Sequence, residues 1–227
     1  MTQIQENIKL IKQNIARACM QASRPVDSVA VLAATKSVNA EYINQAAQCG
    51  ITLAGENRVQ EFLSKADGVC GVTWHFIGSL QTNKVKSLIG KTALIHSVDR
   101  IALADEIEKQ SAKLGVQTNI LIEINAGCED TKSGVLPQQV EALYTYCKQL
   151  PHIRINGFMP VLPINAPEKL YAQMNGIFSA YKARDPHITQ LSMGMSGDYE
   201  TAIRYGATIV RLGSCLFGSR LEKEFIP

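Results

Sequence analysis

The sequence is short of most features that announce a function. Its six cysteines, Cys19, Cys49, Cys70, Cys128, Cys147 and Cys215, never form the close pairs that zinc ribbons and redox motifs need, so they read as free thiols of a reducing compartment. No run of like charge gathers anywhere: 23 Lys and Arg stand against 20 Asp and Glu, a net charge of +3, which indicates neither a nucleic-acid groove nor a membrane-binding face. No apolar stretch is long enough to span a bilayer. The N-terminus, MTQIQENIKLIKQNIARACMQ, is amphipathic and lacks the apolar core of a secretion signal, so a cytoplasmic location is expected. G-x-G-x-x-G does not follow the first strand-like run and G-x-x-x-x-G-K-[ST] is absent, which removes positive support for a nucleotide site. Linkers, low-complexity segments and short internal repeats are also missing.

What is there is an alternation. In 227 residues with 46% hydrophobic content, eight β-branched or apolar runs recur: SVAVLAAT, ITLAGE, TWHFIGSL, ALIHSV, NILIEINA, RINGFMPV, ITQLSMGM and TIVRLGSCLF. Helical periodicity fills the gaps. Asn39 caps a segment with Ile43, Ala46 and Ala47 on one face and Gly50 at its close. Ile101, Ala104, Ile107, Ser111 and Leu114 line a second, ended by Gly115, and Val140, Leu143, Tyr144 and Cys147 a third. Leu170, Met174, Ile177 and Tyr181 line a fourth, opened by Pro167. Eight strands alternating with helices point to an α/β fold, a single parallel (β/α)8 TIM-type barrel with an extra N-terminal helix, more than to an open doubly wound sheet. The nine residues after Gly218 leave no room for a second domain, so residues 1–227 are expected to form one domain.

In such a barrel the site lies at the carboxyl ends of the strands, with phosphates beside the loops after strands seven and eight. After the seventh run, GMSGDYETAI places Ser196 and Gly197 at the turn into a short helix, where free N–H groups and the helix dipole favour an anion. An ordinary helix cap at Ser196, with Asp198 and Glu200 complementing the dipole, is an equal alternative. After the eighth run, Gly213 and Ser214 let a second turn approach the same anion. Arg211 lies mid-strand, so its guanidinium needs either a ligand or a buried partner such as Glu123 or Glu56. Lys36 ends the first run and by alternation shares a face with Leu32 and Ala34, the barrel interior if Val31, Ala33 and Thr35 pack under helices. A lysine desolvated there would have a lowered pKa and offer a neutral amine to an aldehyde. An amine, a cation and a phosphate cradle together suit an aldehyde that bears a phosphate on an aromatic ring, which describes pyridoxal 5'-phosphate.

Other residues weigh less. Asn57 could offer its amide to a ring hydroxyl or serve a turn. His75 and His96 lie within strands and lack metal-ligand spacing, so they read as buried structural histidines. Trp74, Met193 and Met195 read as packing, and Thr35 and Ser37 assemble no nucleophile triad.

The segments ATKS, GENRVQE, WHFIGSLQTNK, HSVDR, IEINAGCEDTKSG, LSMGMSGDYETAI and VRLGSCLFG resemble a known family almost end to end, the pyridoxal phosphate homeostasis proteins. WHFIGSLQTNK together with GMSGDYETAI is highly specific. The resemblance implies the fold type III barrel of the alanine racemase N-terminal domain, and a Schiff base of pyridoxal phosphate on Lys36. It also implies that Arg211 faces the pyridine nitrogen, that Ser196, Gly213 and Ser214 form the phosphate pocket, and that Asn57 belongs to the cofactor site. The family more often has serine at the position of Thr35, proline at Ser79 and threonine at Ser214, where the hydroxyl is kept.

On this resemblance the expected role is cofactor buffering and supply, affecting amino-acid and keto-acid balance, without catalysis of its own. Transient contact with pyridoxal-phosphate-dependent apoenzymes is expected, with the protein a monomer or weak dimer. The alternative is a narrow-range racemase, which needs two bases. In barrel racemases the second is a tyrosine from an additional C-terminal domain, for which Tyr199 or Tyr205 would have to substitute here. An arginine at the ring nitrogen also weakens the electron sink. A phosphosugar-type barrel enzyme using the same phosphate cup is a third alternative.

Overall fold

A computed structural model of the chain describes residues 2–218 of the 227. The elements begin with α1 (Gln3–Gln21), β1 (Ala30–Ala34), α2 (Ala40–Gln48), β2 (Leu53–Glu56), α3 (Val59–Lys65) and β3 (Thr73–Phe76). They continue with β4 (Leu94–Val98), α4 (Ile101–Leu114), β5 (Thr118–Asn125), α5 (Val140–Cys147), β6 (Ile153–Val161) and α6 (Glu168–Arg184). The last are β7 (Gln190–Leu191), α7 (Tyr199–Arg204), β8 (Ile209–Leu212) and α8 (Ser214–Phe217). All eight expected strands are present. The residues fall into two compact units, one running to His75 and resuming at Met193, the other covering Phe76–Ser192.

In the first unit the strand order is β8-β1-β2-β3. β1 pairs in parallel with β2, Ala33 opposite Ala54, and on its other side with β8, Leu32 opposite Arg211. Helix α1 starts with a capping box in which Thr2 and Gln5 satisfy each other's backbone N–H groups. Its apolar stripe, Ile4, Ile8, Ile11, Ile15 and Ala18, is buried at helical spacing. Polar links fasten α1 to the C-terminal elements: Asn7 Nδ2 donates to Leu216 O at 3.0 Å, Asn14 Nδ2 to the Tyr199 hydroxyl at 2.8 Å, and Arg17 pairs with Glu200 at 2.8 Å.

In the second unit the order is β4-β5-β6-β7. β5 and β6 run side by side from Thr118 opposite Ile153 to Asn125 opposite Val161, with a register shift between Ile120 and Leu121. The α4 and α5 stripes are buried largely as periodicity predicts, although Ile101 and Leu114 at the two ends of α4 are exposed. The α6 stripe is rotated by one position, with Tyr171, Met174, Phe178 and Tyr181 buried in place of Leu170 and Ile177. Met174 and Tyr181 belong to both faces, the Tyr181 ring meeting Tyr144 and Phe158 edge to face at 4.7 and 4.9 Å; what differs is that the larger aromatic side chains of Tyr171 and Phe178 are buried in preference to Leu170 and Ile177.

β7 is much shorter than the run ITQLSMGM suggests. Gly194 takes φ +96°, which ends the extended backbone, and a Cβ there would lie 2.5 Å from Ala202 Cβ. The close approach seats α7 against the chain that leaves β7. In β6, Gly157 at φ +150° faces Gln190 across the ladder, and a Cβ would fall 1.8 Å from the Gln190 carbonyl oxygen. Gly157→Ala is therefore expected to force β6 and β7 apart and to destabilise the protein by about 3 kcal/mol. Chemical denaturation checks this, and a midpoint equal to wild type would refute the packing account.

Candidate functional site

The turns after β7 and β8 converge. The N-cap of α7 is Asp198, not Ser196, and the Met195 N–H donates to Asp198 Oδ1 at 2.6 Å. Released from capping, the Ser196 Oγ reaches the turn after β8, where it accepts from the N–H groups of Gly213 and Cys215 at 3.3 Å each. The cap alternative for Ser196 is thereby set aside. Two backbone donors thus converge on one side-chain oxygen, with half-buried Gly213 and exposed Ser214 in the same turn, an arrangement whose chemistry suits an anion.

Lys36 lies past the end of β1 and is exposed, not enclosed by protein. The strand stops at Ala34, and Ser37 adopts a left-handed conformation, φ +57°, so strand alternation does not extend to Lys36. The expectation of a lysine desolvated by its own barrel is corrected accordingly. Of the neighbours of Lys36, Thr35 is buried and Ser37 half-buried. Thr35, at 0% exposure, takes its N–H to Gly55 O at 2.9 Å and its hydroxyl to Glu56 Oε2 at 2.9 Å. The Ser37 N–H donates to Glu61 Oε2 at 2.9 Å.

Both carboxylates meet a buried lysine from α3. Lys65 Nζ donates to Glu56 Oε2 at 2.6 Å, to Glu61 Oε2 at 3.1 Å and to Thr35 O at 2.7 Å. Burial by itself would push the Glu61 carboxyl up, but the Ser37 N–H and the Lys65 ammonium outweigh it and hold Glu61 below the usual carboxylate range. Glu56 Oε1 also accepts the Asn57 N–H at 2.7 Å, so half-buried Asn57 belongs to the same cluster through its backbone.

Arg211 is buried on β8, opposite Leu32 of β1, and its N–H donates to Gly194 O at 3.0 Å. Glu56, weighed from sequence as its partner, pairs with Lys65 instead. Tyr199 is buried and its hydroxyl accepts from Asn14 on α1; burial pushes the phenol up. Tyr205, at the C-cap of α7, is half-buried. Trp74 packs edge to face on Phe62 at 5.5 Å, and Met193 is core, whereas Met195 is exposed, contrary to its expected role as core filling. His75 and His96 are buried, with His96 Nδ1 at 3.0 Å from Ser192 Oγ. Among the described residues no His, Cys, Asp and Glu group is arranged to hold a metal, and no helix is long and apolar enough to cross a membrane. All six cysteines are free.

The donor set suits a phosphate-bearing aldehyde: two N–H groups and two hydroxyls at the cradle, a buried guanidinium on β8, and a primary amine exposed at the end of the neighbouring strand. The family model for the N-terminal domain of alanine racemase matches residues 3–221. An alanine racemase of Clostridium difficile superposes with a TM-score of 0.71 at 13% identity, covering 93% of this chain and 56% of that one, a likeness of fold alone. The chain thus has the parallel (β/α)8 barrel of that class, preceded by an N-terminal helix. The pyridoxal phosphate homeostasis protein of Aquifex aeolicus is 44% identical over 225 residues, 95% of this chain and 97% of that protein. PipY of Synechococcus elongatus, solved with pyridoxal phosphate bound, is 30% identical with a TM-score of 0.78, covering 95% of this chain and 100% of that one. The chain belongs to the pyridoxal phosphate homeostasis protein family.

Sequence reasoning pointed to the two turns that the structure brings together and to the strand-end lysine, but missed the cluster beneath Lys36. The one available signal was the Glu61 and Lys65 pair at i,i+4 spacing in α3, which resembles any surface helix pair.

One pH effect follows from the histidines. Burial pushes His75 down from 6.5 to about 4. The folded protein resists a proton that the unfolded chain accepts, so the stability His75 contributes is complete above about pH 6.5 and is lost as pH falls toward 4. Unfolding free energy measured across that window should fall by up to about 1.4 kcal/mol per pH unit from this group. His75→Gln should remove that part of the slope, and an unchanged slope would contradict it.

Proposed function

We propose that this chain is a pyridoxal 5'-phosphate-binding protein of intracellular cofactor homeostasis, a single cytoplasmic barrel domain that holds the cofactor as a Schiff base on Lys36. The observation that carries the reading is the convergence of Gly213 N–H and Cys215 N–H on Ser196 Oγ, an anion cradle on the loop that follows Arg211. Support also comes from the cofactor seen in PipY and the name of the Aquifex relative.

In this reading Ser196, Gly213 and Ser214 hold the phosphate, Arg211 faces the ring nitrogen and Asn57 approaches the ring substituents. The cofactor supplies an electrophilic carbonyl carbon when bound. Lys36, unhindered at the strand end, supplies the amine that engages it. A guanidinium carries donors and no acceptor, so Arg211 cannot keep a ring nitrogen protonated, which weakens the electron sink needed for chemistry on amino acids. Tyr199, which with Tyr205 is one of the two residues a racemase reading would recruit as second base, is turned toward Asn14 with its proton held more tightly than usual. Both points favour storage and supply over turnover, with cofactor passed on in transient contact with apoenzymes by a monomer or weak dimer.

The test is spectral and chemical. Purified protein given pyridoxal phosphate should show a near-visible band, and borohydride reduction should mark Lys36; Lys36→Ala should show neither. Ser196→Ala should weaken cofactor binding about tenfold, the scale of one hydrogen bond to a charged group. Enantiomer exchange of L-alanine at about one per second or faster would overturn the non-catalytic reading.

A further inference from the structure

The buried ammonium of Lys65 has no role in the reading above. It is 4% exposed, between Glu56 at 0% and Glu61 at 8%, and so sits out of reach of a ligand that Lys36 could meet in solvent. Its partners are informative. Thr35 O and Glu61 Oε2, both bonded to Lys65 Nζ, hold the backbone immediately before and after Lys36, and Glu56 Oε2 adds the Thr35 hydroxyl. Lys36 is therefore the free middle of a three-residue turn pinned at both ends to one ion cluster. The left-handed Ser37, φ +57°, is a conformation that needs such external support.

A buried ion pair is a weak source of stability, because desolvation offsets most of its Coulomb gain; fixing one geometry is the better attested use. We infer that Lys65 is a positioning residue: with Glu56 and Glu61 it clamps Thr35 and Ser37 so that the Lys36 amine is presented to the cofactor aldehyde, while contributing nothing to phosphate binding. This rests on the Lys36 reading above. The cradle is built from the turns after β7 and β8, whereas the cluster is built from β2, α3 and the turn after β1, so the two functions are separable.

The experiment measures them apart. Pyridoxal 5'-phosphate reacts with the Lys36 amine with loss of water; borohydride then delivers hydride to the C=N carbon, leaving a stable secondary amine that peptide mass spectrometry counts. Pyridoxamine 5'-phosphate, which has no aldehyde, reports on the cradle alone. In Lys65→Met the Lys36 label at a fixed subsaturating cofactor concentration should fall at least tenfold across pH 6 to 9, with pyridoxamine phosphate affinity within twofold of wild type. A purely structural role would lower both readouts together, and that result, or a wild-type label in folded Lys65→Met, overturns the inference. If Lys65→Met does not fold, Thr35→Val decides: a label reduced at least threefold, restored in Thr35→Ser, supports the clamp, and a wild-type label overturns it. Absence of Lys36 label in the wild-type protein would instead sink the Schiff-base reading, and the clamp with it.

Discussion

An ammonium shared by two carboxylates, all three side chains out of water, is the constraint on which the site depends. Such a group must be fully paired, because removing one partner leaves an uncompensated charge at a cost of about 3–5 kcal/mol. Lys65 meets that demand with Glu56 and Glu61 and adds a main-chain carbonyl, Thr35 O. Glu56 ends β2 and Glu61 and Lys65 lie on α3, so the pairing welds the turn after β1 to the strand and helix that follow it. The side chain between the two welded residues, that of Lys36, is exposed.

The strands and most helices were legible because burial imposes a period, and a period survives in sequence. The buried faces of α1 and α5 follow the spacing of their apolar residues, and α4 departs from it only at its ends. In α6 two overlapping stripes were available at helical spacing, sharing Met174 and Tyr181, and the burial of Tyr171 and Phe178 is what separates them. β7 read as long because Ser192 and Met193 are buried like strand residues, yet the glycine after them turns the backbone away. Of the candidate site, the two turns that converge at Ser196 were legible from their glycines and hydroxyls in sequence order. The setting of Lys36 was not: alternation assumes a strand that continues, and this one stops two residues early. The ion cluster was invisible for a different reason, since the pairing of Glu56 with Lys65 exists only once β2 and α3 are folded together.

Ligand binding and catalysis make different demands on one barrel. Binding asks for donors that converge, which the Ser196 oxygen already gathers from the turn after β8. Catalysis on an amino acid asks for proton acceptors on two faces of a carbon and for a ring able to store charge. Tyr199, one of the two tyrosines weighed as an acceptor, is spent on a helix contact, and Arg211 on β8 is a permanent cation. On the proposed reading, the racemase-like barrel is kept while the groups that would turn a held aldehyde into a working one are differently used.

The N-terminal helix is easily taken for ornament on such a barrel, but it is bonded to both C-terminal helices through Leu216, Tyr199 and Glu200. Those helices open from the very turns proposed to cup the phosphate, so α1 acts as a backing plate for them. A fusion partner or trimmed leader that frayed this plate would register as poorer vitamin B6 retention, and a search for the fault among ligand-facing side chains would find every one of them intact.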